Sequence, residues 1–522
     1  MVSEIIYQIY PRSFQDSNGD GLGDLDGIIK RLFYVADLGV TTICLAPIYP
    51  SPMIDSGYDI VDHCNIDQSF GDLATFDRLV KEAHRLKLKV VLELVVNHTS
   101  SEHPWFLASQ VSREAPERDW YIWRDAGPDG GPPNNWVSAF GGPAWHYDEP
   151  TKQYYLHTFL TCQPDLNWRH PEVRQQIGAI GRFWLERGVN GFRADALPHI
   201  LKDKNWRDDP INPLWRPGKN PYNRVRHTNS AGHRRLATAL KQLRVAIGPL
   251  ARDMPIMAEA YLKRAVLAHF CATASSKLDQ VTNFNLSALH WQASAWRTYL
   301  ALFNRGDFKP EHIGQILGNH DLPRLVSRYG LKKARLMALL QLSVPGIPVI
   351  YYGEELGLKT LSVSRLQAHD MVRYRIPGAS RDGSRGPMPW TVEVGAGFSD
   401  QAPWLPLVND WRRVNVATEQ NDPSSFWSLY RQLIRTRRQE PALSGGRYQL
   451  RKAGNKAVLA FERVIEQERL LILANFSARP QVVDVAEANK REGVVLVSTH
   501  ARSAEFTNGS KLKPYEGLII RL

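Results

Sequence analysis

Eight short runs of β-type residues, separated by longer stretches of helical periodicity, constrain this 522-residue chain more than any other feature. The runs are IIYQIYPRSF from Ile5, TTICLAPIY from Thr41, KVVLELVVNH from Lys89, GFRADAL from Gly191, MPIMAEAY from Met254, KLDQVTNFNL from Lys277, GQILGNHD from Gly314 and GIPVIYYGEE from Gly346. Between the first two, Leu25, Ile28, Ile29, Leu32, Phe33, Val35 and Leu38 recur at the spacing of one helix face. Phe76, Leu79, Val80 and Ala83 do the same before the third. Alternation of this kind builds a parallel sheet, and eight units predict an α/β fold of the (β/α)8 barrel type.

Two stretches break the alternation. Between the third and fourth runs, GPDGGPPNNWVSAFGGPAWHYDEPTKQYYLHTF is too long for an ordinary strand-to-helix loop and predicts a small inserted domain. After the helical SFWSLYRQLIRTRR, the segments AVLAFERV, LLILANFS, QVVDV, GVVLVST and GLIIRL predict a C-terminal antiparallel β-sandwich domain. The expected division is a barrel from residues 1–98 and 170–440, an insertion over 99–169 and a C-terminal domain over 441–522.

With 43% hydrophobic and 23% charged residues, the chain has the apolar content of a folded protein and not of a disordered one. Lys and Arg exceed Asp and Glu by 65 to 53, a net charge of +12 that favours anionic neighbours. The basic residues are dispersed, with local clusters such as RHTNSAGHRR that read as solvated faces, so no nucleic-acid partner is expected. Cys44, Cys64, Cys162 and Cys271 form no CxxC or Cys/His cluster and read as buried thiols in a reducing compartment. No stretch reaches the roughly 18 apolar residues of a membrane span, and the cytoplasm is the expected address.

A barrel of this type carries its chemistry at the C-terminal ends of its strands. Here those ends are polar: Asn97-His98 after the third run, Arg193-x-Asp195 in the fourth, Glu259 in the fifth and Asn319-His320-Asp321 after the seventh. Each residue alone could cap a helix or pair with a neighbour, but three carboxylates converging on one mouth suit glycosidic bond cleavage. No Walker-type glycine loop supports phosphoryl transfer. Asp16, Asn18, Asp20 and Asp24, with the Leu22 carbonyl, occupy alternating positions of a calcium-type loop around Gly21, although Gly27 stands where an EF-hand has its Glu.

The chain resembles the α-amylase family of glycoside hydrolases, within it the bacterial α-glucosidase and oligo-1,6-glucosidase branch. The resemblance runs from IYQIYPRSFQDSNGDGLGDLDGI through SGYDI, VVNHTS, QPDLNW, GFRADA, MAEAY, GNHD and YYGEELGL to RDGSRGPMPW. It implies Asp195 as the nucleophile of a retaining reaction, Glu259 as the acid/base and Asp321 as the third carboxylate. It also implies Tyr58 stacking on the terminal glucose, His98 and His320 on its hydroxyls, Asp55 and Arg385 closing the pocket, and Phe159 and Gln163 lining it. The loop at Asp16–Asp24 would hold a structural calcium or magnesium ion, and no organic cofactor is implied.

Period-2 alternation places Arg193 on the face of Asp195, where a guanidinium would keep the nucleophile ionised, while a closed pocket would keep Glu259 protonated. One residue departs from the family pattern: Glu93 replaces the Asp that opens the third motif. Its extra methylene either displaces a neighbour such as His98 or is absorbed by repacking, at about 1–3 kcal/mol. Ala196, small and next to the nucleophile, resembles the α-1,4 and sucrose-cleaving members and not the Val-bearing α-1,6 enzymes. The expected substrate is a disaccharide or short oligosaccharide and the expected protein a monomer or homodimer. The alternatives are an oligo-1,6-glucosidase, a sucrose isomerase or transglucosidase, whose Arg-rich loop LPRLVSRYG does not match, and a catalytically dead transporter subunit, which needs a membrane anchor and usually lacks these carboxylates.

Overall fold

The computed structural model describes every residue except 1–3, 261–263, 275, 277, 305–308, 377–379, 486–491 and 503. Tyr261, which ends the fifth run, and Lys277, which begins the sixth, lie outside the described residues. In chain order the strands are β1 (Ile6–Ile9), β2 (Thr42–Leu45) and β3 (Lys89–Val95), then β4 (Trp123–Arg124), β5 (Trp145–Asp148) and β6 (Gln153–Leu156). They continue as β7 (Gly191–Asp195), β8 (Ile256–Ala260), β9 (Asp279–Asn283), β10 (Ile313–Ile316) and β11 (Ile347–Tyr351). The first three and last five pair in parallel, in the order β1-β11-β10-β9-β8-β7-β3-β2, and close on themselves. All eight predicted runs are barrel strands.

Alternation along these strands builds the floor of the site. Ile6, Cys44, Val91, Met257, Phe284, Ile316 and Val349 form one buried apolar cluster. Two residues further on, on the same strand faces, stand Gln8, Glu93 and Glu259, with Glu93 in register with Arg193 of β7. The barrel interior therefore passes from a dry hydrophobic layer to a charged one within a single side-chain repeat.

Helix α1 (Leu25–Leu38) starts at Asp24, whose side chain accepts from the Gly27 N–H, and ends at Gly39 in the left-handed region (φ 96°). Leu25, Ile28, Leu32, Val35 and Leu38 are buried, as the spacing predicts. Phe33, assigned to that face from sequence, is 73% exposed. It follows Leu32 by one residue, about 100° around the helix, and so faces away from the core. In α2 (Leu73–Arg85), Phe76, Leu79, Val80 and Ala83 are all buried.

Between β3 and β7, the strands β4, β6 and β5 form a three-stranded antiparallel sheet. Trp136, Trp145, Ile122 and Leu156 give this segment a small core of its own. Past the helix Phe426–Gln439, the C-terminal residues form a six-stranded sheet and a two-stranded one, which share a buried cluster including Leu471, Val483 and Leu512. The edge strand Arg447–Arg451 is absent from the sequence-based set, because its single buried position leaves little apolar alternation to read. Arg463 of the C-terminal sheet and Arg437 of the preceding helix are buried and donate to carbonyls of Ser343, and of Leu342, Val344 and Gly346, at the end of the helix Leu331–Ser343. Two cations there satisfy a helix C-terminus and weld the domains.

The helix-face assignment is checked by stability. Leu32→Ala should cost about 2–5 kcal/mol, whereas Phe33→Ala should stay within about 0.5 kcal/mol of wild type, read from denaturant midpoints. Equal losses would mean that Phe33 packs inward.

Candidate active site

Arg193 is buried among carboxylates. Its Nη1 lies 2.8 Å from Glu93 Oε2 and its Nη2 2.9 Å from Glu259 Oε1. Burial works against its charge, but Glu259 and Glu93 outweigh that penalty and hold the guanidinium firmly charged. The same-face placement of Arg193 and Asp195 is as predicted, yet the consequence drawn from it is corrected. The guanidinium is taken up by Glu93 and Glu259, and Asp195 is pushed well above the usual carboxylate range by burial, by the charge of Glu259 and by a hydrogen bond with it. Arg193 lowers Asp195 without overcoming those effects. Burial and the neighbouring carboxylate thus both work against the charged form of Asp195.

Glu93 is fully absorbed. Its Oε1 accepts from Gln8 Nε2 at 3.0 Å, and its Oε2 accepts from the Tyr58 hydroxyl at 2.5 Å. Burial pushes this carboxyl up to about 7, against the pull of Arg193. His98 Nε2 lies 3.2 Å from the Tyr58 carbonyl and 3.1 Å from Gln163 Nε2. Glu93 is thus bonded through both oxygens beside an intact His98 network.

Asp321 sits in a different field. Burial would raise it, but His320, Arg381, Arg385 and Arg193 bring it below its ordinary value. His320 is itself pushed down to about 3 by burial, so its ring is neutral near pH 7 and the arginines hold Asp321 ionised. Arg385 Nη2 donates to Asp321 Oδ1 at 3.2 Å and Arg381 Nη1 lies 3.6 Å from the same oxygen. Arg385, fully buried, also donates to the His320 carbonyl and to Ser56 Oγ.

The wall opposite the barrel axis joins three loops. Asp55 pairs with Arg381 at 2.7 Å through Oδ1 and accepts from Gln163 Nε2 at 2.9 Å through Oδ2. Arg381 also pairs with Asp370 at 2.7 Å and lies over the Phe140 ring. Tyr58 stacks against His320, and the half-buried Phe159 lies against His98. All eleven side chains proposed for catalysis and substrate are thus in one connected constellation. Arg381 and Asp370 escaped the sequence reading. Arg381 opens the RDGSRGPMPW motif four residues before Arg385, a signal available in the sequence, while Asp370, outside every motif, had none.

Ala196, directly after Asp195, has φ 49°, a left-handed conformation that β-branched residues adopt only under strain. The chain then turns through the short helix Leu197–Ile200 to Lys202. Lys202 is buried, pairs with Asp165 at 2.8 Å and donates to Asn97 Oδ1 at 3.1 Å. Asn97 in turn donates to Asp165 at 3.0 Å.

The Asp16–Asp24 loop is stitched by its own backbone. Asp16 accepts from the N–H groups of Asn18, Gly19 and Gly21 and from Ser399, Asp20 from Leu22, and Asp24 from Ser17 and Gly27. These bonds offset the mutual repulsion of the carboxylates. Among the described residues no three His, Cys, Asp or Glu side chains are grouped to hold a metal ion. The all-oxygen donor set, with Gly21 at φ 86°, fits the chemistry of a hard divalent cation.

Comparison with known proteins identifies the family. Residues 8–446 match the family model for the alpha amylase catalytic domain, and residues 448–519 that for the maltogenic amylase C-terminal domain. A probable alpha-glucosidase of Rhizobium meliloti (strain 1021) is 39% identical over 91% of this chain and 88% of its own length. A probable oligo-1,6-glucosidase 3 of Bacillus subtilis (strain 168) is 35% identical over 99% and 98%. Among solved structures, the alpha-glucosyl transfer enzyme XgtA superposes with a TM-score of 0.90 at 35% identity, covering 99% of this chain and 98% of that one. With a matching barrel, a matching C-terminal domain and the three carboxylates on the strand ends, the chain belongs to the α-amylase family of glycoside hydrolases.

Proposed function

We propose that the protein is a retaining α-glucosidase that removes terminal non-reducing glucosyl units from disaccharides and short oligosaccharides. The observation that carries this reading is the meeting of three carboxylates at one barrel mouth: Asp195 ends β7, Glu259 stands on the adjacent β8 with its Oε1 2.9 Å from Arg193, and Asp321 lies 3.2 Å from Arg385. Carboxyl groups on adjacent strand ends favour a covalent intermediate over single displacement. Asp195, as the carboxylate, attacks the anomeric carbon while Glu259, as the acid, protonates the departing oxygen. Asp321, held ionised by Arg381 and Arg385, sets a fixed negative charge beside the developing oxocarbenium ion. Exo action is assigned to the wall of Asp55, Arg381 and Arg385, whose ion pairs tie the surrounding loops together at one side of the site.

Maltose-type α-1,4 linkages or sucrose are favoured over α-1,6, since Ala196 leaves room next to the nucleophile. A second reading, glucosyl transfer to an acceptor other than water, draws on the likeness to the alpha-glucosyl transfer enzyme. The Asp16–Asp24 loop is proposed as the seat of one divalent cation of structural effect, held by Asp16, Asn18, Asp20, Asp24 and the Leu22 carbonyl. Cys44 and Cys271 are buried as expected and Cys64 and Cys162 only partly so, and no helix among the described residues is long and apolar enough to cross a membrane; the cytoplasm is the proposed address.

Asp195→Asn should abolish turnover by about three orders of magnitude or more with an unchanged fold, and NMR should find α-glucose as the first-formed anomer. Initial β-glucose would mean a different nucleophile. Ala196→Val should lower the maltose-to-isomaltose rate ratio several-fold and strain the backbone by about 1–3 kcal/mol, so an unchanged ratio would remove Ala196 from linkage selection. Exhaustive chelation should lower the melting temperature more than the initial rate at moderate temperature. An unmoved melting curve would refute the cation.

A further inference from the structure

The departure at Glu93 has consequences beyond fitting an extra methylene into the barrel. Aligned at the strand end with Arg193, Glu93 uses a single oxygen, Oε2, for both the Tyr58 hydroxyl at 2.5 Å and Arg193 Nη1 at 2.8 Å. Its other oxygen is tied to Gln8 of β1, so the carboxylate cannot rotate to serve one partner without leaving another. Each partner leads to a separate part of the site. Tyr58 stacks on His320 and its hydroxyl lies 3.0 Å from His320 Nε2, while the far side of Arg193 reaches Glu259 at 2.9 Å.

We propose that Glu93 is a positioning residue of the glucosidase site, whose one oxygen fixes both the aromatic wall that receives the sugar and the guanidinium that faces the acid/base. The proposal rests on the glucosidase reading above. Glu93 touches no reacting atom and acts through Tyr58 and Arg193. Its negative charge also belongs to the field around the carboxyl pair of Asp195 and Glu259, and it raises Asp195. The other groups in that field are Arg193 from β7, Tyr58 from the loop after β2, and His320 and Asp321 from beyond β10; Cys44 and Tyr49 also face Glu93 and stay uncharged, both thiol and phenol being driven up by burial.

The sign of the effect follows. Removing a negative charge beside a carboxyl pair makes the pair release its last proton more readily, so the basic limb of the kcat/KM profile moves to lower pH. Glu93, held up to about 7, carries its charge above neutrality, where that limb is read. Glu93→Gln should move the basic limb down by about half a pH unit or more on a nitrophenyl α-glucoside, and should raise KM. Glu93→Asp, which keeps the charge, should leave the limb in place.

Tyr58→Phe keeps the ring and removes only the hydroxyl that Glu93 holds. It should raise KM several-fold, and the Glu93→Gln, Tyr58→Phe double variant should show less than the product of the two single effects on KM. An unmoved basic limb in folded Glu93→Gln, or an equal shift in Glu93→Asp, overturns the proposal, since packing alone would then explain the residue. An unchanged KM in Tyr58→Phe overturns the grip on the sugar wall whether or not Glu93→Gln folds. A wild-type protein inert on every α-glucoside overturns this proposal and the glucosidase reading together, whereas an active wild type with an insensitive Glu93 overturns this one alone.

Discussion

One buried guanidinium sets the terms for the rest of the site. Arg193 is charged in a dry barrel interior, where an ion without a partner costs several kcal/mol, and it is held there by Glu93 and Glu259. Asp195 is the third carboxyl within the same field, and one cation cannot keep three acids ionised. Burial and the charge of Glu259 push Asp195 well above the usual carboxylate range. A site so arranged is short of positive charge until a substrate develops it. On the proposed reading, the oxocarbenium ion of glycoside cleavage supplies that charge at the moment of bond breaking, which is when stabilisation accelerates the reaction.

The second acid, Asp321, is treated in the opposite way. It faces two arginines and a neutral His320, and remains ionised without borrowing charge from the substrate. The two arginines come from one motif but reach different partners: Arg385 ties Asp321 to Ser56, and Arg381 ties it to Asp55 and Asp370. Through these pairs the loops after β2, β10 and β11 brace one another. Gln163 adds the inserted segment, bonding Asp55 on one side and touching His98 on the other. The wall is therefore a closed circuit of charges, and a change at any member loosens the others.

What the sequence made legible was what depends on period and motif. Strand and helix periodicity located all eight barrel strands, because each is bounded by loops and backed by an apolar helix face. Phe33 shows the limit of that reading: of successive apolar residues both can be buried, as Leu79 and Val80 are, or only one, as with Leu32 and Phe33, and only packing reveals which. The motifs located Asp195, Glu259 and Asp321, but not the direction of the Arg193 guanidinium. Alternation fixes the face of a strand on which a side chain stands; a long side chain then chooses among partners contributed by other strands. Glu93 was that partner, one methylene longer than the motif's Asp, and no spacing rule reports which way a flexible cation will lean. Asp370 was hidden for a related reason, since it meets Arg381 across a loop with no periodicity to read.

The turn after Asp195 joins these features into one mechanical unit. Ala196 leaves the strand in a left-handed conformation, so the chain swings out of the barrel immediately beyond Asp195 and the short helix Leu197–Ile200 follows. Strain at that position persists only where surrounding structure determines it. Lys202 provides the determination: buried, it spans Asp165 of the inserted segment and Asn97 at the end of β3, and its charge is satisfied where a free ammonium would be expelled. Asp165 is held independently by Asn97 and by the Thr158 N–H. The end of β7 is thus pinned to its neighbour β3 and to the insertion at once. Attack at an anomeric carbon tolerates little misplacement, since an error of about 1 Å costs on the order of a hundredfold in rate. On the proposed reading, Asp195 on a strand end anchored on both sides meets that demand.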